Sequence, residues 1–410
     1  MNSAVSTKNN NQCIQDIVYK LKQQNFEDKE FCAYVYDLNA LKNHIESICG
    51  RLPTNCEMYY AVKANSEKKI LDTINKCCNG FEVASIGELH KIYEYYPNSK
   101  IIFGGPGKTD EELLFCLKNK VEYIHVESIQ ELFRLSSICQ QKNQSVNILL
   151  RVNIKTQNLS STKLMMGGCS SPFGMDELML NECLKYLTGH QYINLKGLHF
   201  HLASFQLDEN LHLDLINNYI NFLHKINYEY QLSLEHINFG GGIGVNYQDK
   251  SHCFDWKYFF EKLSLLLSNS KNNHLKTRFE CGRSLSVYCG YYATEIIDIK
   301  KSYNKTYVIV RGGTNHFRTP FAQNHSHPFE ILPISKWSKP YSRISIENTE
   351  INIVGQLCTP KDILAFNEHV VSLATGDIII FSHAGAYAWN ISHHDFLCHP
   401  HPEKYFIEEE

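Results

Sequence analysis

The stretch Tyr59-Tyr60-Ala61-Val62-Lys63-Ala64-Asn65 is an apolar run that carries a single lysine and then stops. Aromatic and β-branched residues in such a run predict a buried strand. Lysine is among the residues least often buried without a partner. Lys63 is therefore either an edge residue whose stem packs on apolar surface or an amine held for chemistry, and its position alone leaves both interpretations open.

Short β-rich runs alternate with helical stretches on both sides of this strand. The predicted strands are Met58–Ala64, Phe81–Ala84, Ile101–Gly104, Tyr123–Val126, Asn147–Val152, Leu195–Ala203, His236–Gly240 and Thr277–Cys281. Capping-box patterns at Thr109–Glu112 and Ser128–Glu131 mark helix starts, and amphipathic spacing predicts helices over Leu207–Tyr230 and Phe254–Leu267. Eight strands alternating with helices predict an α/β fold, a parallel (β/α)8 TIM barrel.

The pattern changes after Gly282, where β-branched runs are separated by Gly, Pro and Asn turns and helical periodicity is almost absent. This part predicts a second, all-β domain of Greek-key or sandwich-like type, joined by the early strand Phe31–Tyr36. The expected division is an N-terminal segment 1–37 that contributes to the β-domain, a barrel over 38–277 and a C-terminal β-domain over 278–410.

Composition and charge exclude several classes of function. The 410 residues carry 40 Lys and Arg against 43 Asp and Glu, which predicts no sequence-wide affinity for nucleic acid or membrane. No apolar run reaches the roughly 18 residues that span a bilayer. The polar stretch Met1–Gln12 is unlike a signal peptide and is expected to fray. The 15 cysteines lack paired CxxC or finger-like spacing, so we expect no metal site, reduced thiols and a cytoplasmic protein.

Unusual residues collect at the carboxyl ends of the predicted strands, where barrel enzymes carry their chemistry. They are Lys63, Glu82, Ser85, His199, His201, the run Gly240–Gly244, and Glu280–Arg283. A glycine run brings backbone N–H groups close to an anion, although ordinary turns use glycine as well. A strand-end histidine is more often a satisfied core residue, whereas a buried Glu280 is more informative because an unpaired carboxylate is costly there.

Together these groups match what pyridoxal phosphate requires. Lys63 is expected to form the Schiff base, and the Gly240–Gly242 loop to hold the phosphate with a charge-assisted contact from Arg283. His201 is expected to stack on the ring, and Glu280 to keep the pyridine nitrogen protonated. A protonated ring is a full electron sink, which favours loss of a carboxylate.

With these residues in place, the chain resembles the fold-type III pyridoxal-phosphate decarboxylases, the group of diaminopimelate, ornithine and arginine decarboxylases. The resemblance covers nearly the whole length and implies the alanine racemase-like combination of a barrel and a β-domain. Its motifs occur in order: Tyr60–Asn65, Phe81–Ser85 with Glu88, His199–Ser204, Gly240–Gly242, Glu280–Arg283, Cys358–Asp362 and Gly385–Tyr387.

The resemblance also implies roles for single residues. The cofactor contacts beyond Lys63, His201 and Glu280 are expected from Ser204, Gly241, Gly242, Gly282, Arg283 and Tyr387. Cys358 is expected to be the acid that protonates the reacting carbon, in place of the alternative of a buried structural cysteine. In this family that cysteine reaches the site from a second subunit, which implies a head-to-tail homodimer with active sites at the interface.

The chain departs from the family pattern at three places: Leu202-Ala203 in the strand-six motif, Glu82 where aspartate is usual, and Thr359. Diamino-acid decarboxylases usually place a carboxylate after the cysteine to hold the distal ammonium of the substrate. Thr359 cannot supply that charge, so the distal end of this substrate is not expected to be a free cation.

The segment 311–329 is rich in Arg and His and suits carboxylates, although a solvated loop explains its composition as well. Arg318 and His316, with Thr359 and Asp362, are therefore the predicted substrate-binding residues. This segment and the Cys358–Asp362 motif resemble the siderophore branch of the family, which decarboxylates a citryl-diaminopropionate conjugate in staphyloferrin B assembly.

Other functions remain as alternatives. One alternative substrate is a free diamino acid, namely diaminopimelate, ornithine or lysine. Another alternative is a racemase on the related barrel, which typically places an arginine at the pyridine nitrogen. The presence of Glu280 and Cys358 argues against this function. A non-catalytic regulator of this type usually lacks cofactor-binding or acid residues, and a cofactor carrier generally lacks the β-domain. This chain retains Lys63, Glu280, Cys358 and Tyr387, which argues against both classes.

Overall fold

The structure is a computed structural model that describes residues 7–26, 29–155, 164–165, 168–249 and 251–408. Its internal contacts divide the chain into two compact units. The barrel unit comprises Lys42–Asn246 and Ser251–Leu285, and the β-unit comprises Met1–Leu41, Tyr247–Lys250 and Ser286–Glu410.

The strands of the described residues alternate with helices in the first two thirds of the chain. The strands are β1 (Cys32–Asp37), β2 (Cys56–Ala61), β3 (Gly80–Val83), β4 (Lys100–Phe103), β5 (Tyr123–Val126), β6 (Val146–Arg151), β7 (Leu164–Met165), β8 (Ile193–His199), β9 (Ala203–Ser204), β10 (His236–Asn238), β11 (Lys276–Cys281), β12 (Gly290–Ser302), β13 (Lys305–Val310), β14 (Phe329–Leu332), β15 (Ser345–Val354), β16 (Ile363–Ala374), β17 (Ile378–Phe381) and β18 (Glu403–Ile407).

The helices of the described residues range from 4 to 22 residues in length. They are α1 (Thr7–Asn25), α2 (Leu38–Cys49), α3 (Lys68–Cys77), α4 (Ile86–Tyr95), α5 (Asp110–Lys118), α6 (Ile129–Lys142), α7 (Glu177–Leu187), α8 (Glu209–Tyr230), α9 (Trp256–Ser268), α10 (Arg283–Ser286) and α11 (Thr319–Ala322). None of the helices within the described residues is long and apolar enough to cross a lipid bilayer.

The barrel unit closes in the order β10-β11-β2-β3-β4-β5-β6-β8 with parallel pairing throughout. The predicted (β/α)8 barrel is therefore confirmed. Thr109 forms the complete capping box with Glu112 at the start of α5. At α6 only half of the predicted box forms: Ser128 accepts from the Glu131 N–H, but the Glu131 carboxylate turns to Lys108 at 2.8 Å.

Two strand ends differ from the prediction in a way that matters for the site. β2 ends at Ala61, and Lys63 lies in a 3-10 turn over Val62–Ala64. β8 ends at His199, so His201 lies beyond the strand. The physical reason is pairing, because the neighbouring strands supply their last partners opposite Ala61 and His199. Both side chains are thereby carried by turns at the rim of the barrel.

The β-unit is built on a sheet with the order β14-β17-β12-β13-β15-β16, and β1 joins it between β12 and β18. The predicted β-domain is therefore confirmed, and the early strand β1 lies in its sheet. The expectation that Met1–Gln12 frays is wrong from Thr7 onward, where α1 begins. The helix is held because Ile14 and Val18 pack into the core of this unit. Residues 1–6 lie outside the described residues.

Candidate active site

Lys63 and Glu82 form an ion pair at the rim of the barrel. The Lys63 Nζ lies 2.5 Å from Glu82 Oε2. The Glu82 side chain is buried and the lysine side chain is 42% exposed, so the amine remains reachable. Burial raises the pKa of the Glu82 carboxyl, and the Lys63 ammonium opposes that rise. The buried carboxylate therefore fixes a lysine whose amine stands at the end of β2, where the sequence predicted chemistry.

The glycine run after β10 bends tightly around His201. Gly240 and Gly242 have φ values of +70° and +91°, which favour glycine. A Cβ on Gly241 would lie 2.3 Å from the Glu280 carbonyl oxygen, so only glycine fits there. The N–H of Gly241 donates to His201 Nδ1 at 3.1 Å, so Nδ1 is an acceptor and the single N–H proton of the neutral ring is on Nε2. The Gly241 amide thus orients His201, while its predicted phosphate contact stays a prediction.

Burial lowers the pKa of His201 well below its usual value, and the cations of Arg151 and Lys63 add to this effect. A neutral imidazole is held beside the glycine loop. Such a ring presents a flat, uncharged face, which suits contact with a planar heterocycle.

Glu280 lies at the end of β11 among polar groups from three other strands. Its Oε1 accepts a hydrogen bond from Asn238 Nδ2 at 2.7 Å. His199 Nε2 lies 3.3 Å from Oε2, and His125 Nδ1 lies 3.5 Å from Oε1. The donor atoms of the two histidines and Glu280 all lie within 4.8 Å of one another.

Gly282 and Arg283 continue β11 into the turn beside Lys63. A Cβ on Gly282 would lie 2.8 Å from the Cβ of Ala64, so glycine permits this close approach. Arg283 opens α10 and places its guanidinium 4.4 Å from the centre of the Phe205 ring, next to Ser204 in sequence. The barrel unit therefore brings Lys63, His201, Glu280 and Gly282 to one rim.

Three buried residues at this rim were missed by sequence reasoning. Arg151 ends β6 and pairs with Glu127 at 2.7 Å, while His125 and Asn238 contact Glu280. Arg151 carried the same signal as Lys63, a charged residue that closes an apolar strand. His125 lies within a four-residue apolar run, where no local feature separates it from a core histidine.

Cys358 lies in an exposed loop of the β-unit that Asp362 organises. Asp362 Oδ2 accepts from the Leu357 N–H at 2.8 Å. Its Oδ1 accepts from the N–H and the hydroxyl of Thr314 at 2.6 and 2.9 Å. Burial raises the pKa of Asp362, and the Thr314 and Leu357 donors oppose that rise. These contacts make Asp362 an internal anchor of the loop, while its predicted substrate contact, like that of Thr359, stays a prediction.

The remaining predicted residues of the β-unit have contrasting environments. His316 is fully buried, with its Nδ1 3.2 Å from the Tyr292 hydroxyl, and burial lowers its pKa to about 3. Arg318 is exposed and lies near His393, whose pKa is lowered first by burial and then by this cation. Tyr387 has a φ of +49°, a conformation that is strained for an aromatic residue and is typical of functional turns.

The residues of the barrel rim fit pyridoxal phosphate. The donor set consists of an amine paired with a buried carboxylate, a glycine cradle that side chains would fill, a neutral imidazole and a second buried carboxylate at Glu280. An amine, an anion cradle, a flat partner and an acid are the four groups that this cofactor requires.

Comparisons with known proteins agree with this fit. Residues 38–287 match the family model described as pyridoxal-dependent decarboxylase, pyridoxal binding domain. The chain is 43% identical over 396 residues to 2-[(L-alanin-3-ylcarbamoyl)methyl]-2-hydroxybutanedioate decarboxylase of Staphylococcus aureus, covering 97% of this chain and 98% of the relative. It is 29% identical to L-glutamyl-[BtrI acyl-carrier protein] decarboxylase of Niallia circulans, covering 90% and 87%.

Solved structures share the fold. Diaminopimelate decarboxylase from M. jannaschii in complex with L-lysine superposes with a TM-score of 0.83 at 22% identity, covering 95% of this chain and 89% of that one. Diaminopimelate decarboxylase from Helicobacter pylori with L-lysine gives a TM-score of 0.82 at 23% identity, covering 95% and 94%. At these identities the likeness concerns the fold alone.

Proposed function

The chain belongs to the family of pyridoxal-dependent decarboxylases, and we propose that its substrate is an amino acid whose distal end carries carboxylates. The decarboxylase class and the pyridoxal phosphate cofactor expected from the sequence are confirmed by the family model and by the 43% identical relative. Carbon dioxide release is therefore the reaction, and the question that remains is which amino acid loses it.

The substrate proposal rests on the relative from Staphylococcus aureus, which the chain matches over 97% of its length. The name of that relative describes an alanine unit joined by an amide to a hydroxy acid that retains two carboxylates. We propose a citryl-diaminopropionate conjugate of this kind, formed during siderophore biosynthesis, as the substrate of the present chain. Thr359 supports this because it offers no charge for a distal ammonium, and exposed Arg318 suits a carboxylate.

In this proposal the residues of the barrel rim hold the cofactor. Lys63 binds it covalently through its amine, Glu82 orients that amine, and His201 lies against the ring. The family pattern assigns the phosphate contacts to Ser204, Gly242, Arg283 and Tyr387. Glu280 holds the proton on the pyridine nitrogen. Pyridoxal phosphate supplies an electron sink that takes up the electron pair left when the carboxylate departs.

Cys358 donates a proton to the reacting carbon after the carboxylate leaves, and Asp362 holds the loop that carries it. We propose a cytoplasmic, head-to-tail homodimer in which this cysteine serves the site of the second subunit. Each of these statements extends the family pattern to residues of this chain that match it in order.

A substrate panel tests the proposal. Purified protein loaded with pyridoxal phosphate is given the citrate amide of 2,3-diaminopropionate, lysine, ornithine or meso-diaminopimelate, and carbon dioxide release is measured for each. Lys63→Ala supplies the background. We expect the citrate amide to have the highest kcat/KM. Preference for a free diamino acid overturns the substrate proposal, and loss of optical activity without carbon dioxide release identifies a racemase instead.

Substitutions at Thr359 sharpen the test. Thr359→Glu restores the carboxylate of the diamino-acid enzymes, and Thr359→Gln adds the same bulk without charge. We expect the glutamate variant to raise KM for the citrate amide about tenfold above that of the glutamine variant, because like charges repel. Equal KM values for the two variants would place Thr359 away from the distal carboxylates.

A further inference from the structure

Four buried polar residues form one cluster at the end of the barrel: Glu280, His125, His199 and Asn238, called the Glu280 cluster below. Their relative exposures are 5%, 0%, 3% and 0%. The two imidazole rings face each other with centroids 4.0 Å apart and a tilt of 31°. The four residues come from four strands, β11, β5, β8 and β10, so barrel closure brings them together.

The orientation of Asn238 determines the protonation of His125. The Gly240 N–H donates to Asn238 Oδ1 at 2.9 Å, which identifies the other amide atom as the donor Nδ2. That Nδ2 lies 2.7 Å from Glu280 Oε1 and 3.4 Å from His125 Nε2. Because Nε2 then faces a donor, it acts as the acceptor, and the proton of the neutral ring is on Nδ1. This Nδ1 atom lies 3.5 Å from Glu280 Oε1.

His125 and His199 have no better acceptor than Glu280 in the part of the chain that the structure describes. His125 Nδ1 and both nitrogens of His199 lack a well-aligned hydrogen-bond partner there. A buried donor left unpaired is costly, because the water that it loses on folding is not replaced. The nearest acceptors are the Glu280 oxygens, with Oε2 3.3 Å from His199 Nε2 and Oε1 3.5 Å from His125 Nδ1. Both imidazole rings therefore interact electrostatically with the Glu280 carboxylate.

Both rings are neutral. Burial lowers the pKa of each well below its ordinary value. His199 adds to this effect at His125, where Glu280 opposes it, and Arg151 adds to it at His199. An imidazolium here would cancel the charge of Glu280. Neutral donors instead stabilise the carboxylate and leave its negative charge available to a positive partner.

We propose that His125 is a positioning residue that, together with Asn238, holds the Glu280 carboxylate in the orientation needed to bind the protonated ring nitrogen of the cofactor. The proposal deepens the proposed role of Glu280 and rests on it. It does not depend on which amino acid is decarboxylated, so the substrate panel and the present test fail independently.

Two reciprocal substitutions separate the contacts of His125. The amide of His125→Asn occupies the place of Nδ1, so a donor toward Glu280 is retained and the contact with Asn238 is lost. The amide of His125→Gln occupies the place of Nε2, so the contact with Asn238 is retained and the donor toward Glu280 is lost. Both variants keep a neutral polar side chain at the same buried position, so each controls for the folding of the other.

The readout is the ring nitrogen itself. Apoprotein is loaded with pyridoxal phosphate labelled with ¹⁵N in the ring, and the ¹⁵N chemical shift and the dissociation constant of the cofactor are measured. We expect wild type and His125→Asn to show a protonated nitrogen. His125→Gln is expected to shift toward the neutral value and to bind the cofactor about tenfold more weakly.

Three results would overturn the proposal. An unchanged ¹⁵N shift and affinity in His125→Gln would make His125 a space-filling residue. Equal losses in both variants would assign the effect to packing. One equivalent of zinc in the wild-type protein that is lost in His125→Gln would identify the cluster as a metal site, since two histidines and a carboxylate are ligands that zinc accepts.

If His125→Gln does not fold, Asn238→Leu removes the short donor to Glu280 and is expected to produce the same ¹⁵N shift.

Discussion

Glu280 in the barrel unit and Asp362 in the β-unit are both buried carboxylates, and they are satisfied in opposite ways. Asp362 accepts three short hydrogen bonds, at 2.6 to 2.9 Å, from Thr314 and Leu357. Glu280 accepts one short bond from Asn238, and two histidine nitrogens stand at 3.3 and 3.5 Å. A carboxylate whose oxygens accept several short hydrogen bonds from its own loop holds that loop in place. A carboxylate with fewer short hydrogen bonds can still accept one from a ligand.

The comparison distinguishes an anchor from a group kept for chemistry, although both are among the residues least often buried. Burial alone does not make this distinction, since their relative exposures are 5% and 2%. The number and length of the hydrogen bonds make it, because each remaining lone pair in a dry site must find a partner or carry a cost.

The largest expected effect is the loss of activity in Glu280→Gln. The amide keeps the shape but not the charge, so we expect kcat for carbon dioxide release to fall about 100-fold or more. The thermal midpoint of the apoprotein should stay the same or rise, because an incompletely paired buried charge has been removed. A large drop in the midpoint with little loss of kcat would reverse the comparison.

Asp362→Asn is expected to have the second largest effect, and on stability first. The amide cannot accept from three donors as the carboxylate does, so the free energy of unfolding should fall by about 1–3 kcal/mol. The loop that carries Cys358 should loosen, and peptide-level mass spectrometry should detect faster alkylation of this thiol. Glu347→Gln, an exposed carboxylate on β15, is the matched control. Unchanged stability and alkylation would show that Asp362 does not anchor the loop.

Replacement of His212 is expected to have the smallest effect on activity. This residue shows that a buried group with incomplete hydrogen bonding is not always a functional one. It lies buried in α8 against Phe254 and Phe259, and neither ring nitrogen has a partner within the described residues. Burial lowers its pKa from 6.5 to about 4. Between about pH 6.5 and pH 4, His212 is therefore protonated in the unfolded chain and neutral in the folded chain. The free energy of unfolding decreases as the pH falls through this range.

His212→Phe should remove this dependence. We expect the stability difference between variant and wild type to be constant above pH 7 and to grow by about 3 kcal/mol in favour of the variant as the pH falls to 4. Its kcat should change less than tenfold, because an unpaired buried group outside the Glu280 cluster has no ligand to hold. Urea unfolding at a series of pH values checks the first expectation. Parallel pH profiles for the two proteins would contradict it.

The order of elements could be predicted from the sequence because its signals are local. Side-chain period, the cap at Thr109 and turn glycines act over a few residues, and they placed the eight barrel strands and the change to a β-domain after Gly282. Lys63 was singled out for the same reason, as a charge that closes an apolar run, and the other strand-end residues then favoured a functional role for it. The family resemblance added the cofactor, which composition and spacing could only suggest.

Strand ends were less predictable, because a strand stops where its neighbour stops. Leu195–Ala203 reads as one continuous run, yet β8 ends at His199 once β6 and β10 supply no further partner. The position of His201 outside the strand is therefore a property of the barrel and not of the run that contains it.

The sequence by itself determined the fold class and the type of chemistry and selected Lys63 as the candidate cofactor lysine, because these depend on patterns that can be read along the chain. Only the tertiary structure decided which polar groups meet. His125 and Asn238 are 113 residues apart, and Asn238 and Glu280 are 42 apart. Closure of the barrel brings them to one point, and the low dielectric there makes their few hydrogen bonds matter.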